Sequence, residues 1–123
     1  MLIQGRVETG CDHFQPRMTE YPQVFAEAAG TALHPGTINL KIDCRIPIKE
    51  DFRKRGDAIG EREDLIFERC RIAGRAAFRI RPLDLETGGG GHGDDTLEIA
   101  CPEEIPGVTP GAEFEVEFFR DQN

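Results

Sequence analysis

The chain has 123 residues, 38% hydrophobic and 31% charged, so we expect residues 1–123 to form a single domain with a substantial hydrophobic core. Fifteen Lys and Arg residues against 23 Asp and Glu residues give a formal net charge of −8. A protein that binds nucleic acid through its phosphates needs the opposite balance, which excludes nucleic acid as a partner. The sequence has no long apolar run and no signal-like start, and therefore predicts a cytoplasmic protein with no membrane partner.

Four cysteines stand about thirty residues apart, without a CxxC pair. Zinc ligands usually come in closely spaced pairs, and a cytosolic protein rarely keeps disulfides. We therefore expect free, mostly buried thiols, with no disulfide and no zinc. The four are Cys11, Cys44, Cys70 and Cys101.

Short strands around a single helix are predicted for the first half of the chain. Between 20 and 29 the apolar residues recur at helical spacing, and Gly30 ends the helix. Pro16 is expected to act as a breaker in an irregular stretch before it. The remaining predicted segments are the strand 2–8, the irregular stretch 11–19, the strand 37–42, a strand at 44–48 and a charged loop at 49–62.

The second half reads more plainly as β-structure. Two strands, 65–73 and 75–81, flank a turn at Ala73-Gly74, and further strands are predicted at 96–100 and 113–119. Five glycines make the stretch 85–95 a flexible loop. Short strands with one helix indicate a mainly β fold: a small six-stranded, cradle-loop-type barrel with mostly antiparallel pairing and one peripheral helix.

Alternation with period two predicts which strand residues are buried, because successive strand side chains point to opposite faces. In the second hairpin strand this pattern separates the apolar residues from a group of arginines, and a small anionic ligand is possible at such a basic cluster. The predicted core residues are Ile38, Leu40, Ile42, Phe78, Ile80, Phe114, Val116 and Phe118.

The strand 37–42 carries three polar residues in a row on its non-core face: Thr37, Asn39 and Lys41. The oxygens of Thr37 and Asn39 emerge side by side, about 7 Å apart at the backbone. Both are neutral oxygen ligands of the kind that Mg²⁺ accepts when substrate phosphates supply most of its coordination. The alternative is that the two residues only cap the preceding turn or face solvent.

The glycine-rich stretch invites comparison with a phosphate-binding loop, but no GK[ST] closes it and no helix is expected after it, so it is not a P-loop. His92 in this stretch could act as a general base or stack on a ligand. Glu98 alternates with Leu97 and Ile99 and lies on the opposite face, which is either the outside of the barrel or a ligand cavity.

Two stretches together resemble a known family. "PGTINLKID" and "HGDDTLEIACP" are similar to the PGT-[L/I]-N-[L/V]-K-[L/I] core and the histidine-to-Leu-Glu-Ile segment of the archaeal-type, CTP-dependent riboflavin kinases. The order of the surrounding segments agrees across nearly the whole chain, although only these two stretches are close.

The resemblance implies a six-stranded cradle-loop barrel that transfers a phosphate from CTP to riboflavin to give FMN. Thr37 and Asn39 would then hold Mg²⁺, and Glu98 and His92 would bind the flavin. The residues expected at the nucleotide are Gly10, Gly36 and Lys41. No residue is assigned a catalytic role.

The chain also departs from the family pattern. A glycine-rich run expected after the first strand reads "TGCDHFQPRM", with Gly10 as its only glycine. A Leu-Arg pair expected near the nucleotide is replaced by Glu103 and Glu104, and a flavin-side threonine is replaced near Gly90. The alternative functions are therefore a flavin- or nucleotide-binding barrel without this catalysis and a structural or protein-interaction role.

Overall fold

A computed structural model of the protein describes residues 1–9, 14–83 and 95–120. Seven strands and two α-helices are present in these ranges, together with a short 3₁₀ helix at Gly56–Ile59. The strands are β1 (Leu2–Val7), β2 (Ile38–Lys41), β3 (Phe52–Lys54), β4 (Leu65–Ile72), β5 (Arg75–Pro82), β6 (Thr96–Ala100) and β7 (Glu113–Phe118). The helices are α1 (Gln15–Glu20) and α2 (Pro22–Ala29).

Six of the strands form a closed antiparallel barrel, which confirms the predicted fold class. The ring runs β4-β5-β6-β2-β1-β7, and a pairing between β7 and β4 closes it. β3 lies outside the ring and pairs with β4 alone among the described strands. Full closure leaves the six barrel strands without a free edge along their paired lengths.

Two apolar cores hold the molecule together. The first fills the barrel, and the second lies between the outer face of β4, β5 and β6 and the helices that cover it. The barrel core contains Val7, Leu40, Ile42, Ile46, Cys70, Ile72, Ala77, Leu97, Ile99, Cys101, Ile105, Val116 and Phe118. The outer core contains Phe14, Met18, Phe25, Ala29, Ile59, Leu65, Phe67, Phe78, Ile80 and Ala100.

The predicted core residues are found in these two cores or packed against them. Phe78 and Ile80 belong to the outer core and therefore point away from the barrel. The arginines of β5 alternate with them, so they point toward the barrel interior. Arg79 is accordingly only 1% exposed. Ile38 and Phe114 are half-buried and pack against the barrel core.

The hairpin between β4 and β5 forms as predicted. Ala73 and Gly74 have φ angles of 50° and 76°, both in the left-handed region. Two successive residues of this kind give a two-residue turn whose twist matches that of the flanking strands. Ala73 is the only residue other than glycine with a positive φ in the described ranges.

Three local predictions are wrong. The stretch 11–19 is predicted to be irregular, but α1 begins at Gln15. Pro16 does not break this helix, because it lies in the first turn, where a missing N–H removes no hydrogen bond. The predicted strand at 44–48 is absent; the side chain of Ile46 is buried in the barrel core without a ladder partner for its backbone. The predicted loop at 49–62 instead contains β3 and the 3₁₀ helix.

A buried carboxylate joins the end of β7 to the barrel wall. Glu68, on the inner face of β4, is fully buried. Arg120 donates to it twice, from Nε to Oε2 at 2.7 Å and from Nη2 to Oε1 at 2.6 Å. The backbone N–H of Lys49 donates to Oε1 at 3.0 Å. The guanidinium of Arg120 also lies 5.3 Å from the ring centroid of Phe118.

Replacing Arg120 by Met should lower the free energy of unfolding by about 2–4 kcal/mol, because the buried Glu68 carboxylate would lose the two hydrogen bonds that Arg120 donates to it. Arg71→Met is the matched control, since the Arg71–Glu117 pair is exposed and should contribute less than about 1 kcal/mol. Chemical denaturation measures both. Equal losses in the two variants would contradict a stabilising role for the buried pair.

Candidate functional site

The pairing between β2 and β6 brings two of the predicted site residues together. Asn39 and Glu98 are direct Cα partners in this antiparallel ladder, so their side chains lie on the same face of the sheet. Leu40 and Leu97, the next pair along, point into the barrel core. Asn39 and Glu98 therefore lie on the outer face of the barrel wall.

The polar face of β2 is more enclosed than its sequence predicts. Asn39 is 5% exposed and Thr37 is half-buried, whereas Lys41 is exposed. Thr37 Oγ1 and Asn39 Oδ1 are both shielded from solvent and have no hydrogen-bond partner within the described residues. A buried oxygen without a partner costs about 1–3 kcal/mol, and such atoms are uncommon in folded proteins. Two of them, two residues apart, mark this place as unusual.

These oxygens are of the type that Mg²⁺ prefers as ligands, and Mg²⁺ usually keeps several coordination positions for water and phosphate. No cluster of three or more His, Cys, Asp or Glu side chains able to hold a metal is found among the residues described. The site therefore has neutral oxygens but not a full set of protein ligands, and phosphate oxygens would have to complete the coordination. Glu98, across the ladder from Asn39, is the nearest carboxylate by register.

Burial raises the pKa of the Glu98 carboxyl from 4.5 to about 7, and the positive charge of Arg81 opposes this rise in part. At neutral pH the group is therefore close to its midpoint and can either donate or accept a hydrogen bond. Its neighbour across the ladder, Asn39, carries no charge that would hold the carboxyl ionised.

The other predicted residues are less closely grouped. The ammonium of Lys41 forms an ion pair with Asp95, which holds the pKa of that carboxyl below its usual range, so this cation already has a partner. Gly36 has a φ of 106°, and its backbone N–H contacts Met18 Sδ at 3.3 Å. The two remaining predicted residues, Gly10 and His92, lie outside the described residues, as does Gly90.

A pocket of about 810 Å³ lies beside Thr37, at one end of the barrel. Two loops form most of it: residues 34–37, which lead into β2, and residues 103–109, which follow β6. The backbone N–H of His34 donates to the carbonyl of Cys101 at 2.8 Å and ties the two loops together. Asn39 and Glu98 do not line this pocket.

The sequence interpretation missed this pocket, and it treated Glu103 and Glu104 only as a departure from a family pattern. Both line the pocket and are exposed. The signal that could have found it is the run of loop-forming residues between Pro102 and Pro110, which ends one strand and must cross the barrel end before the next. Asp95, the partner of Lys41, was also missed.

Of the cysteines, Cys70 and Cys101 are buried free thiols and Cys44 is exposed and free, while Cys11 is not among the described residues. Burial raises the pKa of Cys101 to about 11 and moves that of Cys70 well above its ordinary value. Both stay protonated and unreactive at neutral pH. No helix in the described ranges is long and apolar enough to span a membrane.

Thr37→Val should leave the free energy of unfolding unchanged or raise it by up to about 1 kcal/mol, because it keeps the side-chain shape and removes an enclosed hydroxyl that has no partner among the described residues. Thr31→Val, at an exposed position, is the control for the change in composition. Denaturant titration of both variants measures the effect. A loss of more than about 1 kcal/mol in Thr37→Val alone would mean that the hydroxyl has a structural role.

The raised pKa of Glu98 predicts that stability falls as the pH rises. The folded state holds the Glu98 proton more tightly than the unfolded chain, so this contribution is complete below pH 4.5 and is lost as the pH passes about 7. Glu98→Gln should remove the dependence, and between about pH 5 and 8 wild type should lose on the order of 2 kcal/mol relative to it. Parallel stability curves for the two proteins would show that burial does not shift this carboxyl.

A scan against models of protein families finds no match to this chain, and a search of curated proteins finds none either. The resemblance to riboflavin kinases therefore remains a prediction from the two motifs, and the assignment of function depends on the site itself.

Proposed function

We propose that this chain is a phosphotransferase of the riboflavin kinase type, which moves a phosphate from a nucleoside triphosphate, CTP in the family, to riboflavin and so forms FMN. The observation that carries the proposal is the pair of enclosed oxygens, Thr37 Oγ1 and Asn39 Oδ1, which have no partner within the described residues. They lie in the motif that resembles the metal-binding motif of the family, and a ligand that they contact would relieve their unpaired state.

Thr37 and Asn39 would hold Mg²⁺ through these oxygens. When bound, the metal supplies positive charge to the phosphate oxygens and fixes their position, which is most of what phosphoryl transfer needs. The rigid ladder between β2 and β6 keeps Asn39 in register with Glu98. Because Asn39 sits on a strand rather than a loop, its oxygen needs little reorganisation to meet a ligand.

Glu98 would contact the acceptor. Its pKa near 7 lets the carboxyl share a hydrogen bond with a neutral group, either as donor or as acceptor, without the cost of burying a full charge. Riboflavin offers such groups on its ring and on its ribityl chain. Lys41 plays a smaller part in this proposal than in the sequence interpretation, because it already pairs with Asp95.

A second candidate function is a flavin- or nucleotide-binding barrel that performs no phosphoryl transfer. The specific observation in its favour is the position of Glu103 and Glu104 at the pocket beside Thr37. Two carboxylates there would repel the phosphates of a nucleoside triphosphate, and no Lys or Arg is among the described residues that line the pocket. Such a barrel would bind riboflavin but not the nucleoside triphosphate that serves as phosphate donor.

One experiment separates the two candidates. Purified protein is incubated with riboflavin, Mg²⁺ and each common nucleoside triphosphate, and FMN is measured after chromatography by its fluorescence. Formation of FMN that requires Mg²⁺ and a triphosphate supports the phosphotransferase. Quenching of riboflavin fluorescence by the protein without any FMN supports the binding protein, and neither effect would reject both.

Asn39→Ala should weaken Mg²⁺-dependent binding of the phosphate ligand roughly 5- to 150-fold, as expected for one hydrogen-bond-like contact of about 1–3 kcal/mol to a charged group. The fold should be retained, since the lost amide oxygen has no partner in the described residues. Isothermal titration of nucleotides with and without Mg²⁺ measures the change.

Gln4→Ala is the control, because Gln4 is an exposed amide on β1 and does not belong to this site. Its affinity should equal that of wild type. If wild type binds nucleotides with no dependence on Mg²⁺, or if the two variants behave alike, the metal site is not at Asn39.

A further inference from the structure

The pocket at the barrel end has an apolar floor that is continuous with the barrel core. Ile99 and Ile105 are buried members of that core, and Ile38 and Val108 pack against it from the pocket side. Pro35 and Pro106 add two further apolar surfaces at the walls. The volume of about 810 Å³ lies within the range of small-molecule sites in proteins.

The walls of the pocket carry charge of one sign. Glu103 and Glu104 line it, and the other lining residues with ionisable or polar side chains are His34, Gln15, Thr37, Cys101 and Thr109. No Lys or Arg lines it within the described part of the chain. Arg75 approaches Glu103 at 3.7 Å from outside the pocket, and both side chains are exposed, so this ion pair neutralises little of the charge.

The apolar and the charged residues of the pocket lie at different places. The isoleucines form the floor, whereas Glu103 and Glu104 are exposed and stand in a loop that forms one wall. A ligand that places an apolar body on the floor therefore brings its outer part near two carboxylates. An anionic group at that end would be repelled, and a protonated amine would be attracted.

We propose that this pocket binds small organic amines, molecules in which a protonated amino group is carried on an apolar body. The apolar body packs on Ile38, Ile99 and Ile105, and the ammonium lies toward Glu103 and Glu104. The proposal does not rest on the proposed kinase activity.

Two probes with the same indole ring and opposite charge test it: tryptamine, a cation, and indole-3-acetate, an anion. Binding is followed by NMR of isoleucine side-chain methyls, which reports both affinity and location. Tryptamine should shift the methyl signals of Ile38, Ile99 and Ile105 and bind about tenfold more tightly than indole-3-acetate, as expected for two exposed ion pairs.

Glu103→Gln combined with Glu104→Gln should abolish this preference, because the apolar floor remains and the charge is gone. Both residues are exposed, so the double variant should fold normally. Glu115→Gln combined with Glu117→Gln removes the same charge from β7, outside the pocket, and should keep the preference.

The proposal is overturned if neither probe shifts these three isoleucines, if indole-3-acetate binds as tightly as tryptamine, or if the preference survives in the pocket double variant. Loss of the preference in the β7 double variant would also overturn it, since the effect would then come from net charge alone. Formation of FMN has no bearing on any of these outcomes, so the two proposals can fail separately.

Discussion

Closure of the barrel depends on how a single edge of β4 is shared. The first part of that edge, Leu65 to Phe67, pairs with β3, and the later part, Cys70 to Ile72, pairs with β7. Glu68 lies between the two paired segments and accepts hydrogen bonds from Arg120, which lies beyond the end of β7. The carboxylate is thus placed where one neighbouring strand replaces another, and its hydrogen bonds join β4 to Arg120, two residues beyond the end of β7. If β3 extended further along this edge, β7 would have no place to pair.

The same closure explains why the candidate site is on the outer wall. Leu40 and Leu97 fill the interior, so the alternate residues Asn39 and Glu98 must face outward. Part of the outer face of β4 and β5 is stabilised by apolar packing against the helices, whereas Thr37 and Asn39 carry enclosed oxygens that have no partner among the described residues. If Thr37 and Asn39 bind a ligand as proposed, stability and ligand binding make opposite demands on them. Such conflicts between local stability and ligand binding are expected at functional sites.

Much of this arrangement follows from the sequence, because period-two alternation and the Ala73-Gly74 turn determine strand register over short distances. The sequence could not predict that Phe78 and Ile80 lie on the outer side of β5, since alternation separates the two faces of a strand without saying which one lies inside the barrel. Buried Arg79 contradicts the usual rule that arginine is exposed, and long-range pairing with β4 is needed to explain it. The motif at Thr37 and Asn39 could be predicted as a polar row. Its enclosure could not, because it depends on residues distant in the chain.

The pairing of β7 with both β1 and β4 also has a consequence for how the protein is made. The backbone of Met1 meets that of Phe118, 117 positions later, so the two neighbours of β7 emerge from the ribosome long before it does. Until β7 is synthesised, β1 and the later half of β4 keep open hydrogen-bonding edges, and such edges pair readily with other chains. The nascent chain passes through a stage at which a chaperone that shields strand edges would improve the yield of folded protein, and slower translation of the last strand would lengthen that stage.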